Sequence, residues 1–343
     1  MSKDVKGCKE DFTIRSRIRV ALGSGTQMTT RKTPATAAPG TASNPALGYL
    51  LALAAAVIWG SLGIFAKLIY AYGINPVVLV SLRSSLAFIA LLISLVIVNP
   101  SQLRMEAKDI PFFVVFGFVG ITLNHLSYFE ALKRTSATTA VIILYTAPAF
   151  VALGAAVFFG ERLTKTKIAA LVMAFAGCFL VAGGYDRELI SLNPAGIILG
   201  LIAAITYASY TLLSKYALGK YSSWTTVLYA FGFGGFFLVC FAGRNLIQIR
   251  DFPPVAWLLV LCLVLGPTLA AYVLYVLALR YIDAADAGII CMAEPAATTL
   301  LAFVVLGETL AGWQLAGAAL VLAGIFLIQV RKPGRKLSSE EHA

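Results

Sequence analysis

ALKRTSATTAVIILYTAPAF, residues 131–150, is answered by ALRYIDAADAGIICMAEPAA, residues 278–297. The match runs on through FFGERL and AGCFLV in the first stretch and VLGETL and AGIFLI in the second. At a spacing of 147 positions, Ala131 falls on Ala278, Pro148 on Pro295, Gly160 on Gly307, Glu161 on Glu308, Leu163 on Leu310 and Gly177 on Gly324. Both stretches lie inside apolar runs long enough to cross a bilayer. A duplicated half within a multispan chain places any binding site between the two halves.

Composition agrees. The chain has 343 residues, of which 59% are hydrophobic and 13% charged, and its mean hydropathy is +0.86. Soluble domains do not have such usage. A span needs about 20 largely apolar residues, and ten such runs are present: 46–67, 76–98, 111–131, 137–159, 167–184, 195–215, 224–242, 255–279, 285–306 and 312–330. Each must be helical, because lipid offers no partner for backbone polar groups. The expected fold is an all-α integral membrane protein with ten transmembrane helices in two inverted five-helix repeats. The first repeat covers 46–184 and the second 195–330. The connections are too short for a soluble domain.

Residues 1–45 form a basic tail, read as disordered and cytoplasmic, and 331–343 a second cytoplasmic tail. The leader has no signal-peptide core, so the first span is expected to insert uncleaved. Met28 is an alternative start to Met1.

Charge sets the orientation. With the N-terminus inside, the inner loops collect most of the lysines and arginines, among them Arg104, Lys108, Arg162, Lys165, Lys167, Lys220 and Arg280. The outer loops keep Lys133, Arg134, Arg187, Arg244 and Arg250. That is the positive-inside pattern. Five spans per half is an odd number, so the second copy must lie upside down. Equivalent loops then fall on opposite sides: ERLTKTK (161–167) inside with three basic residues, ETLAGWQ (308–314) outside with none. Lys133–Arg134 runs against this pattern.

Trp59-Gly60-Ser61 followed by Lys67 corresponds to Tyr207-Ala208-Ser209 followed by Lys215. The two lysines are expected to snorkel to the interface. These starts, TAP and EP in the fourth span of each half, and the paired GERL/GETL resemble the EamA-type carriers of the drug/metabolite transporter superfamily. The resemblance spans about residues 46–330. It implies secondary transport of small polar metabolites, often export of amino acids and related compounds. Relatives of nucleotide-sugar or phosphorylated-sugar type keep that cargo open. It also implies a cavity lined by spans 1, 3, 4, 6, 8 and 9, in a bacterial inner membrane.

Ionisable groups inside a membrane are costly and so are functional candidates. Glu294 stands mid-span before Pro295, which removes a backbone donor and frees a carbonyl. It suits binding of a cationic ammonium group or acceptance of a proton, against the plainer reading of a packing group satisfied by its own helix. Its counterpart, Ala147-Pro148, keeps the helix-breaking proline without the acid. His125 reads either as a proton-responsive group or as a neutral side chain bonded to another helix. Arg83 either holds a substrate carboxylate bidentately or pairs with a structural acid and snorkels outward. Glu130 is placed to pair with Lys133 and Arg134, and Asp283 with Arg280; Glu161 and Glu308 read as interfacial. Trp59, Tyr145 and Tyr207 are the leading aromatic candidates for substrate contact, with Tyr128, Tyr210, Tyr272 and Tyr275 behind them.

Other chemistry has little support. Cys8, Cys178, Cys240, Cys262 and Cys291 lack paired spacing, so neither disulfides nor a metal site is expected. No P-loop is present, and no cofactor or nucleic-acid partner is implied. The expected partners are a small-molecule substrate, the lipid bilayer and protons, in a monomer or homodimer. An intramembrane enzyme would need a denser set of acids or ligands. A receptor or scaffold remains open, but gives no reason for a broken helix in both halves.

Overall fold

The structure is a computed structural model and describes residues 44–330, Glu308 excepted. The basic leader, the alternative start and the C-terminal tail lie outside the described residues. Among these, nine helices are long and apolar enough to cross a bilayer: Pro45–Tyr70, Pro76–Val98, Ala107–Arg134, Ala137–Phe159, Pro194–Ala217, Ser223–Asp251, Pro254–Ala278, Ala284–Val305 and Gly312–Val330. The remaining expected span, the fifth, is the helix Lys165–Val181 of 17 residues. At about 1.5 Å per residue it reaches about 25 Å, slightly short of a hydrocarbon core of about 30 Å.

Local sequence explains where the spans begin and end. Three of them open on Asn-Pro: the Asn44, Asn75 and Asn193 side chains accept backbone N–H groups of Leu47, Val77 and Gly196, and the following proline starts the helix. Span 4 and span 9 each close on a glycine in the left-handed region, Gly160 and Gly307, both with φ of 68°. A side chain there would strain the backbone, which accounts for the glycine of GERL and GETL.

The halves pack through each other. Span 1 lies against spans 8 and 9, and its repeat counterpart, span 6, lies against spans 3 and 4. Spans 2 and 7 pair at one side, and spans 5 and 10 at the other. The second pairing needs backbone contact. A Cβ on Gly177 would sit 2.6 Å from the Gly317 carbonyl oxygen, and one on its counterpart Gly324 would sit 2.9 Å from that of Ala170. Association inside lipid relies on such close approach, because burial of apolar surface drives it little.

Two features interrupt the helices at matching places. Spans 3 and 8 each contain a π-helical stretch, Gly117–Leu123 and Val264–Ala270, again 147 positions apart. Spans 4 and 9 are each two helices, Ala137–Leu144 then Ala147–Phe159, and Ala284–Cys291 then Glu294–Leu306. The prolines occupy the first turn of the second segments, where a missing N–H costs least. The helix breaks of spans 4 and 9 meet at one place inside the bundle.

Candidate functional site

A small cavity lies at the broken helices. Leu144, Tyr145, Ala147 and Pro148 of span 4, Tyr207 of span 6, and Gly288, Cys291, Met292 and Glu294 of span 9 line it. Among the described residues, no hydrogen bond or ion pair reaches the Glu294 carboxylate. Tyr145 and Tyr207 share the cavity wall with it. Pro295 stands behind it in the first turn of the following helix.

Arg83, in span 2, is 7% exposed. It therefore does not snorkel, and no acid lies within ion-pair distance of it among the described residues, which corrects the structural-pair alternative. Its Nη2 donates to His125 Nε2 at 3.1 Å. The other ring nitrogen of His125, Nδ1, lies 2.6 Å from the Ile121 carbonyl. A carbonyl can only accept, so Nδ1 carries the proton and Nε2 offers its lone pair to Arg83. His125 thus orients the guanidinium as a neutral acceptor. Tyr272 adjoins Arg83 and also feels Glu294, and Arg83 is close enough to act on the Glu294 carboxylate. His125 and Tyr272 are 147 positions apart, each two residues beyond its π-helical stretch. The pseudo-symmetry therefore sets a pair of side chains around Arg83.

Trp59 is not in the cavity wall. It is buried behind Tyr272 and Tyr275, with ring centroids 5.0 and 5.2 Å away. Tyr210 packs edge-on against Tyr272 at 5.2 Å. Tyr275 is bonded to Thr211 at 2.7 Å. Tyr145 and Tyr207 face the cavity; the other rings support it.

One face of the bundle is sealed by polar contacts between the halves. Glu161 accepts the backbone N–H groups of Ala284 and Ala285, at 2.8 and 3.2 Å, and so caps the first segment of span 9. A carboxylate at a helix N-terminus satisfies orphan donors and meets the positive end of the dipole. Burial pushes the Glu161 carboxyl up from its ordinary value, against those two N–H bonds. Lys167 pairs with Asp283 at 2.7 Å and with Asp286 at 2.9 Å, and Tyr49 donates to Asp286 at 3.0 Å. Lys215, expected at the interface, is instead buried and donates to the carbonyls of Leu279 and Ile282 between spans 8 and 9. Asp283 takes its ion pair from Lys167 in the other half rather than from Arg280 as local spacing suggested. The pairing of Glu130 with Lys133 and Arg134 does form, at 2.6 and 3.7 Å.

The opposite face is built from different contacts among the described residues. Ser136 and Thr139, which correspond to Asp283 and Asp286, bond to Leu189 and Ser191 in the loop joining the halves. Lys67 is exposed where Lys215 is buried. Every residue of Ala284–Cys291 is buried, but only Thr139 and Ala140 in Ala137–Leu144. The bundle is closed at the Glu161 face and looser at the other.

Both repeats match the sequence model of the EamA-like transporter family, over residues 46–183 and 194–330. The chain belongs to that family. Among EamA relatives, a transporter of unassigned role from Archaeoglobus fulgidus is 31% identical over 62% of this chain and 73% of its own. A probable terminal-alkyne amino-acid exporter of Streptantibioticus cattleyicolor is 30% identical over 68% of this chain and 77% of its own. The inner membrane transporter YicL of Salmonella typhimurium is 24% identical over 82% and 95%. A crystal structure with 21% identity superposes with a TM-score of 0.70, covering 83% of this chain and 97% of the other, and so shares the fold. The chain is thus a multi-pass integral membrane protein of a transporter family.

Proposed function

We propose that the protein is a secondary carrier that exports a small polar metabolite by alternating access. Amino acids and related compounds are the cargo class the resemblance implies, and the name of the Streptantibioticus cattleyicolor relative points the same way. The observation that carries the reading is the asymmetry of the two faces. A cavity at the meeting of two inverted halves is shut on one side by Glu161, Lys167 and Lys215, and less packed on the other. With the basic loops inside, the shut side is cytoplasmic, both termini are cytoplasmic, and the conformation is outward-open in a bacterial inner membrane. Exchanging the packing of the halves opens the other side.

Glu294 is the proposed coupling group. It sits beside a helix break, in the cavity wall, with an acidic side chain where the repeat has Ala147. Proton antiport then follows from competition between a proton and the cargo's cationic end. His125 serves this site through Arg83. A phosphorylated-sugar carrier would want several cations in the cavity, and the acid opposite Arg83 counts against it.

The experiment is pH-gradient-driven uptake and substrate exchange with purified protein in liposomes, for wild type and Glu294→Gln. The variant should retain exchange and lose stimulation by the gradient. Full gradient-driven rates in Glu294→Gln would remove Glu294 from the coupling role.

A further inference from the structure

The two helix breaks are stitched in different ways. In span 4 the break holds itself: Thr146 Oγ1 donates to the Ile143 carbonyl of the same span at 2.6 Å. At the 147 spacing the counterpart of Thr146 is Ala293, which has no hydroxyl to give. Span 9 takes a donor from the other half instead. The Cys178 thiol of span 5 donates to the Met292 carbonyl at 3.4 Å. Met292 follows the first segment of span 9, two positions before Glu294, and lines the cavity with it.

The thiol meets a specific need. Pro295 has no N–H, so the backbone ladder cannot run on across the break. Among the described residues no backbone N–H reaches the Met292 carbonyl. Met292 is fully buried and Cys178 is 1% exposed, so water is no substitute partner. An orphan carbonyl in such a place is costly. The donor is itself held, because the adjoining Gly177 lies against the Gly317 backbone, where a Cβ would come within 2.6 Å. Cys178 thus gives span 9 a fixed point on the pair of spans 5 and 10. Acid and thiol also occur together. The counterparts of Glu294 and Cys178 are Ala147 and Ile325, so the break in span 4 has neither.

From these contacts we propose that Cys178 is a positioning residue: its thiol fixes the break of span 9 and so keeps the Glu294 carboxylate in the cavity wall. This rests on the coupling role of Glu294 given above and deepens it. Hydrogen bonding and packing predict different substitutions. Ile325 fills the equivalent place in the other half and is buried, so filling space needs no sulfur. Serine can take over the donation, its hydroxyl being the stronger donor, whereas valine can only fill the space. Loss of one such bond is an effect of about fivefold.

The test uses the full chain in liposomes, as wild type, Cys178→Ser and Cys178→Val. The probe is a membrane-permeant carbodiimide, which adds to a carboxylic acid in apolar surroundings. Mass spectrometry of the span 9 peptide gives its rate of addition to Glu294. In Cys178→Val that rate should fall about fivefold, because the slackened break lets the acid leave the wall. In Cys178→Ser it should stay within about twofold of wild type. Uptake of a radiolabelled amino-acid mixture driven by a pH gradient should follow the same order, with exchange preserved in all three proteins. If Cys178→Val lacks a folded elution profile, Cys178→Ala replaces it and carries the same expectation. A rate unchanged or raised without the thiol would overturn the assignment, as would a rate that valine preserves and serine does not. The two readings fail separately. The serine–valine pattern in carbodiimide addition, without any gradient-driven uptake, would overturn the coupling role and uphold the positioning of the acid. Gradient-driven uptake with no dependence on the residue at 178 would do the reverse.

Discussion

Replacing Lys167 with methionine should unlatch the closed face. The lysine ammonium bridges Asp283 and Asp286, and its side chain is 11% exposed against 34% and 1% for the two acids. The contact to the more exposed Asp283 falls in the range of partly exposed pairs, about 0–1 kcal/mol. The contact to Asp286 is closer to a buried pair, whose rupture costs about 3–5 kcal/mol. Tyr49 still donates to Asp286, and the acid rehydrates once the face opens, so about 2–3 kcal/mol is a fair total. At about 1.4 kcal/mol per decade, the closed form should lose about 30- to 150-fold in relative population. Methionine keeps the apolar stem and removes only the charge.

A native reporter exists. Cys291 lines the cavity and is buried. With the other cysteines replaced by alanine, a membrane-impermeant maleimide in inside-out vesicles should label Cys291 at least tenfold faster in Lys167→Met than with Lys167 intact. In right-side-out vesicles the rate should stay level or fall. A labelling rate within twofold of the parent from the Glu161 face would refute the latch, and with it the view that these contacts hold one conformation.

Further expectations concern the same latch and the helix pairing. The Glu161 carboxyl titrates above its ordinary value in the closed form because it is buried there. A group with a higher pKa in one conformation favours that conformation when protonated. Acidification from pH 7 towards 5 should therefore slow Cys291 labelling from that face, and Glu161→Gln should abolish the dependence. Gly177→Ala should destabilise the detergent-solubilised protein by about 1–3 kcal/mol, because its Cβ would meet the Gly317 backbone at 2.6 Å. Gly63→Ala, where the nearest atom lies 3.7 Å away, is the control. Thermal unfolding compares the two, and equal midpoints would contradict the packing argument.

Much of the architecture was legible because it repeats. Identical residues at a spacing of 147 disclosed the duplication, and odd span number with loop charge gave the inversion. Residues that differ between the copies hid the rest. His125 and Tyr272 occupy equivalent places, yet no identity marks them as a pair. The π-helical stretches depend on one extra residue per turn, which apolar periodicity does not register; Pro267, Gly117 and Gly120 were their only trace. Helical spacing found Glu130 with Lys133 and Arg134, since these are neighbours in sequence. It could not find Lys167 with Asp283 and Asp286, which the fold joins from different halves, nor the buried Lys215, whose partners are backbone carbonyls. The acid beside Pro295 could be read directly, whereas Arg83's lack of an acidic partner could only be seen in three dimensions.

The carrier account itself stands on movement of solute. Purified full-length protein in liposomes preloaded with unlabelled free amino acids should accumulate the labelled compounds transiently above equilibrium, and saturably. Such counterflow requires one site that faces each side in turn. A preload that brings no accumulation beyond that of protein-free liposomes, with amino acids or a broad panel of other metabolites, would contradict the account.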